Sequence, residues 1–170
     1  MFWTGHHQPY GRDPIKKMMK RLSTPLTAIA LIFAMSVVAF AAVRLSKTSF
    51  TDNGTTLTSG GKLTGLGNGD VTILVSTTGT ASTTCTNPGG NNPPGQQTPV
   101  SPSGSTTIPS DQIKNGSLTF SLTTLAPTVT AQQAGCPRPF TATVTDVQFA
   151  TATVTVIQDG KTVLTQTFNQ

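Results

Sequence analysis

Beyond Val43 the apolar residues recur at alternate positions in short runs bounded by Gly, Asn, Asp and Pro, and no stretch repeats them at helical spacing. Alternation of this kind sets one face of an extended segment against a core and the other in solvent. It predicts strands over 45–51 and 55–66, the second interrupted at Gly60-Gly61. A long strand or two short ones follow over 70–85, with a bulge or bend at Gly79. In SLTFSLTT (117–124), Leu118, Phe120 and Leu122 share a face. Phe140, Ala142 and Val144 do the same, but Val147 and Phe149 have the opposite parity, which requires a turn or bulge at Thr145-Asp146. The run ATVTVIQDGKTVLTQTF (152–168) holds Asp159-Gly160 between two alternating arms, a signature of a two-residue type I′ hairpin. Val154 and Val156 line one face of the first arm, and Leu164 and Phe168 one face of the second. Parity alone leaves open which faces are core.

Several short strands with turn signals about every ten residues predict an all-β chain folded as a single β-sandwich, Ig-like with about seven strands. The buried Trp of an antibody-type domain is missing, since Trp3 is the one Trp and precedes the domain. The least strand-like stretch is CTNPGGNNPPGQQTPVSP (85–102), within a Pro/Gly-rich loop over 86–105. A loop of this length is a binding element or a spacer. It is expected to carry the chain from one sheet to the other, with Asn87, Asn91, Asn92, Gln96 and Gln97 as its candidate binding residues.

Composition changes sharply before the domain. Lys16, Lys17, Lys20 and Arg21 precede an apolar run over 25–43, which ends in small residues around Ala39, Ala41 and Ala42. A basic region, an apolar region and a small-residue exit form the pattern of a secretory signal peptide, here 18–42. The stretch 22–43 is also long enough to span a bilayer as an uncleaved anchor, although Ser23, Thr24, Pro25, Thr27 and Ser36 dilute it. Either way the flanking positive charge stays inside and residues 43–170 cross the membrane. The expected location is therefore secreted, extracellular or periplasmic, or membrane-anchored through 22–43. Met18 and Met19 stand directly before Lys20 and Arg21, and a start there gives a leader of ordinary length. Residues 1–17 are accordingly expected to be upstream sequence read as protein.

The leader also explains the charge. The chain carries a formal +5, but from Val43 on six basic residues (Arg44, Lys47, Lys62, Lys114, Arg138, Lys161) face five acidic ones (Asp52, Asp70, Asp111, Asp146, Asp159), a net +1. A nucleic-acid partner would require a basic stripe, and the domain has none. A membrane enters only through the N-terminal segment. Cys85 and Cys136 both fall in the exported part. An even count in an oxidising compartment reads as one disulfide, against the alternative of two buried free thiols.

The exported part contains no His, Glu, Trp or Tyr. That excludes a Ser-His-Asp or Cys-His arrangement and removes the usual transition-metal ligands apart from the two cysteines. Paired-carboxylate chemistry would have to draw on five Asp residues that each adjoin a turn signal. TDNGT (51–55) and GLGNGD (65–70) gather oxygen donors suited to calcium, yet neither has the spacing of an EF-hand loop. No catalytic, metal or cofactor residues are assigned. Thr-X-Thr in TATVT (141–145) and TATVTV (151–156) resembles the arrays of β-structured ice-binding proteins, but lacks their fixed repeat. Thr on the solvent face of a half-buried sheet is the ordinary explanation. Asn53-Gly54-Thr55 and Asn115-Gly116-Ser117 fit the N-glycosylation pattern, and Asn-Gly is equally a hairpin-turn pair.

LTGLGNGDV (63–71), CTNPGGNNPPGQ (85–96), IPSDQIKNGSLTF (108–120), AGCP (134–137) and TDVQFATATVTVIQDGKTVLTQTF (145–168) occur in this order. Together they resemble a group of short exported bacterial proteins of uncharacterised function. The resemblance spans most of 60–170 and implies bacterial origin, export and one small β domain; it implies no activity or ligand. The expected role is that of an exported, non-enzymatic structural or interaction module. The alternative is a small extracellular binder of a cell-surface glycan or peptide that uses its loops.

Overall fold

A computed structural model describes residues 42–170. The expected extension at 1–17 and the leader, apart from Ala42, lie outside the described residues. The strands are β1 (Arg44–Asp52), β2 (Leu57–Thr64), β3 (Val71–Thr86), β4 (Thr98–Val100), β5 (Ser103–Ile108), β6 (Ser117–Thr123), β7 (Thr141–Gln158) and β8 (Lys161–Asn169). A single 3₁₀ turn at Ser110–Gln112 interrupts the β5–β6 connection. One sheet has the order β1-β2-β6; in the other, β7 lies between β8 and β3, and both β4 and β5 pair with the far edge of β3. Every pairing is antiparallel.

The two sheets close on one core. Leu63, Leu118 and Phe120 from the first meet Val71, Ile73, Val75, Val154 and Val156 from the second, all buried. This makes the domain a β-sandwich and settles the faces that parity left open: Val154 and Val156 point inward, and Leu164 and Phe168 pack partly buried at the same margin. Taken as one strand broken at Ser101-Pro102, β4 and β5 reduce the strand count to seven. The sheets are then first-second-fifth and fourth-third-sixth-seventh. This is an Ig-like order in which the fourth strand lies beside the third, whereas a constant-type Ig domain sets it beside the fifth.

The Gly60-Gly61 pair does not interrupt β2, which pairs with β1 and β6 on either side of it. These glycines are sites of close approach. A Cβ on Gly61 would sit 2.7 Å from Leu45 Cδ1, and one on Gly60 2.9 Å from Ser49 Oγ. β1 bulges over them between Ser46 and Ser49, with Lys47 at φ +52°.

β3 is one strand, and its register against β7 shifts twice. One shift falls between Thr78 and Gly79, with Ala150 as the unpaired residue on β7; the other leaves Thr145 unpaired between Val144 and Asp146. Each one-residue insertion reverses the phase of the strand. The inward series therefore runs Val144, then Val147 and Phe149, then Ala152, Val154 and Val156. Gly79 lies where the bulged backbone approaches: a Cβ there would be 2.6 Å from the Gln148 carbonyl oxygen. The predicted hairpin is present, with Asp159 at φ +52° and Gly160 at +73°, the positive values that a type I′ turn needs at both central positions. Asn115 (φ +51°) and Gly116 (φ +65°) turn the chain in the same way, and Lys114 and Ser117 exchange backbone hydrogen bonds across them.

Candidate functional site at the disulfide end

Cys85, near the end of β3, is joined to Cys136 with a Cα–Cα distance of 5.5 Å. What presents Cys136 is a single helical turn. Thr130 Oγ1 accepts the Gln133 N–H at 3.2 Å, and Gln133 Oε1 accepts the Thr130 N–H at 3.0 Å. This is a reciprocal capping box. At its other end Cys136 N–H donates to Ala131 O and Gly135 N–H to Gln132 O, with Gly135 at φ +66°, a Schellman termination. TAQQAGC is thus a complete start-and-stop signal for one turn. Cys136 sits just past the left-handed Gly135 and packs with Cys85 and Ala134 in a small core beside Phe140 and Ala142. Phe140 N–H closes the following turn onto Pro137 O, across a cis Arg138-Pro139 peptide.

The Pro/Gly-rich stretch takes a different course from the one expected. It does not cross between sheets. The chain turns at 87–92 and returns along the edge of β3, so that 98–100 and 103–108 are strands within the predicted 86–105 loop and just beyond it. Cys85 N–H donates to Pro93 O at 2.8 Å and Gly95 N–H to Thr83 O at 2.8 Å. Pro94 bridges Thr84 between these two bonds, a position whose own N–H would point away from the ladder, so proline costs no bond there. Where the ladder breaks, buried threonines take over. Thr77 Oγ1 donates to Pro102 O, Thr83 Oγ1 to Gln96 O, and Thr98 Oγ1 to Gln133 O, at 2.8–3.1 Å. The actual crossings between sheets are 65–70, 109–116 and 124–140.

The candidate binding residues separate into two groups. Asn87, Asn91 and Asn92 lie together at the tip of the turn, where Asn87 Oδ1 accepts the Asn91 N–H at 2.9 Å and Asn92 Oδ1 accepts the Thr86 hydroxyl at 2.7 Å. Gln96 sits lower, its backbone N–H bonded to Ala134 O and its side chain so close to Gly135 that a Cβ there would be 2.7 Å from Gln96 Cδ. Gln97 is exposed. The structure adds Gln132, Gln133 and Arg138 to this end of the sandwich, from the crossover that sequence reading treated only as the seat of Cys136.

The aspartates are dispersed over turns. Asp52 Oδ1 accepts the Gly54 N–H and Asp70 Oδ1 the Ser110 N–H, at 2.8 and 2.9 Å. Among the described residues no three His, Cys, Asp or Glu side chains gather as a metal site. In TDNGT, Asn53 Nδ2 donates to Thr58 Oγ1 at 2.9 Å. GLGNGD is held by Gln158, whose Oε1 accepts the Gly67 N–H and whose Nε2 donates to Gly69 O, both at 2.9 Å. A depression of about 290 Å³ between the crossover and β7 is lined by Thr55, Pro127, Val129, Ala142 and Val144, with no ionisable group. Another, of about 500 Å³ on the outer face of the β1-β2-β6 sheet, is lined by Lys47, Lys62, Ser49 and Ser121. Among the described residues no helix is long and apolar enough to cross a membrane.

Fold and site together define an Ig-like β-sandwich with one disulfide, whose loops at the bridged end are polar amides. Comparison with known proteins takes this no further: no protein-family model matches the chain, and no curated protein is significantly similar to it.

Proposed function

We propose that the protein is an exported, non-enzymatic structural or interaction module that makes its contacts through the disulfide end of the sandwich. The observation that carries this reading is the way that end is built. A bridged pair of loops, fixed by backbone hydrogen bonds to Pro93, Thr83 and Ala134, presents exposed amides at Asn91, Asn92, Gln97 and Gln132. A rigid polar surface lowers the ordering cost of binding, and these residues supply hydrogen bonds without a general acid, base or nucleophile. The disulfide is compatible with an oxidising, extracellular setting, and the basic and apolar leader supports export. The group resemblance supports the same assignment.

The test has two arms. Mass spectrometry of the extracellular fraction of producing cells should recover the protein with a new N-terminus near Ala42 and a linked Cys85–Cys136 peptide. Protein retained inside the cell with both thiols free would overturn the export assignment. In a pull-down on the producing cell's surface material, the protein should be retained and an Asn87→Ala/Asn91→Ala/Asn92→Ala variant released. Retention that free sugar competes saturably would turn the reading toward a glycan binder, while retention indifferent to these substitutions would remove the disulfide end as the contact.

A further inference from the structure

The four strand edges of this sandwich are not treated alike. The edge formed by β4 and β5 is broken into short pieces and carries Pro94, Pro99 and Pro102. The β1 edge carries Arg44, Lys47 and Asp52 and is bent by the bulge at Lys47. The end of β6 is met by β5: Leu125 N–H donates to Ser103 O at 2.9 Å, and a Cβ on Gly104 would lie 2.7 Å from Thr123 O. Proline, charge, bulges and coverage are the usual devices that stop an edge from pairing with another chain. β8 bulges once near its start, at Val163, and from Leu164 on it has none of these. It runs nine residues, KTVLTQTFN, with Lys161 its one charge and no proline, and among the described residues nothing pairs with its outer side.

The peptide groups on that side can be identified. Gln170 N–H donates to Ala150 O, and the pairing continues in steps of two through Ala152↔Phe168, Val154↔Gln166 and Val156↔Leu164. Hydrogen-bonded and non-bonded pairs alternate in an antiparallel ladder. The even residues of β8 therefore bond to β7, and the N–H and C=O groups of Thr165, Thr167 and Asn169 point outward.

We infer that β8 pairs antiparallel with β8 of a second copy, joining the two larger sheets into one. The sequence of the strand fits itself. With the two-fold at Gln166, Leu164 of each copy faces Phe168 of the other on the inner side, where both are only partly covered by their own core and the Phe168 ring already meets Phe50 in a tilted pair, centroids 5.1 Å apart. The outward groups of Thr165 and Thr167 meet each other. The two Lys161 ammonium groups fall at opposite ends of the joint, roughly 30 Å apart along the strands and several screening lengths from one another. The inference rests on the sheet geometry and holds whether or not the disulfide end binds a partner.

The full chain with its disulfide intact tests it. Sedimentation velocity over a wide concentration range should show a reversible dimer, and Gln166→Cys should yield a disulfide-linked dimer on mild oxidation, because facing residues of a non-bonded antiparallel pair lie within bridging distance. Thr167→Pro removes an outward N–H and keeps the backbone bonds to β7, losing only the hydroxyl contact with Thr153, so it should abolish the dimer and leave a folded monomer with cooperative thermal unfolding. Thr165→Lys supplies the same block if the proline variant does not fold. A monomer at every concentration, a dimer indifferent to both blocks, or a dimer whose Gln166→Cys form does not cross-link would each overturn the inference.

Discussion

Gln158 is the buried polar side chain on which the 65–70 crossing depends. It is 7% exposed, at the end of β7, and its amide spans the loop: one hydrogen bond from Gly67 N–H and one to Gly69 O, each 2.9 Å. Gln158→Leu keeps the volume and removes both. The loop itself is partly exposed, so its freed groups turn to water; the loss is the net value of two hydrogen bonds, about 0.5–1.5 kcal/mol each. The total is about 1–3 kcal/mol. For a domain of this size, at about 4 °C per kcal/mol, the melting temperature should fall by roughly 4–12 °C. Two measurements together identify the cause. Thermal unfolding gives the magnitude, and native-state hydrogen exchange shows where it acts, because Gly67 N–H should lose protection while the amides of β3 opposite β7 keep theirs. The reasoning fails if Gly67 is as protected in the variant as in the parent, or if the melting temperature does not move.

Reducing the Cys85–Cys136 bridge frees a loop of about 50 residues, worth about 4 kcal/mol on the loop-entropy model, so thermal unfolding with reductant should give a melting temperature lower by roughly 16 °C; an unchanged value would show that the 130–136 turn holds its place without the bridge. Ser59 is fully buried and its hydroxyl has no partner, so Ser59→Ala removes an unsatisfied group and should leave stability unchanged or raise it by up to about 1 kcal/mol. Urea unfolding checks this, and a loss above about 1 kcal/mol would mean that the hydroxyl is bonded after all.

Much of the sandwich is legible from parity. The runs around Leu118, Phe120 and Leu122, and the Asp159-Gly160 and Asn115-Gly116 turns, depend on near neighbours and leave a local trace. The bulge at Thr145 was visible because it shifts apolar residues from even to odd positions; the one at Ala150 shifts them back, between Phe149 and Ala152, and was read only from the partner side through Gly79. Gly60-Gly61 looked like a break because glycine weakens an isolated strand, whereas here it makes room for Leu45 and Phe120, neighbours that only the fold supplies. The Pro/Gly-rich return leaves no strand signal for a related reason. Its hydrogen bonds come from β3, so nothing within 93–102 records them. The TAQQAGC turn is the opposite case, a complete local signal whose capping and terminating hydrogen bonds all fall within its own residues.

The return segment also shows why threonine and proline are abundant in the same domain. Prolines keep the β4–β5 side closed to other chains, and Pro94 does so at a position that costs no ladder bond to β3. Thr77 and Thr83 add hydroxyl bonds from β3 to the carbonyls of Pro102 and Gln96, and Thr98 ties the return segment to Gln133 O. Elsewhere threonines pair with each other across strands, as Thr72 with Thr107, Thr78 with Thr151 and Thr153 with Thr167, a small cross-strand contribution at each place. The last of these pairs joins β7 to β8, where no proline follows. One side of the sheet is thus sealed by proline and sewn on by threonine, while the other ends in an unblocked strand of the same polar, uncharged character. A protein whose edges were shaped only by avoidance of association would treat both sides alike; the asymmetry between the two edges of this sheet is what leaves β8 for the second copy.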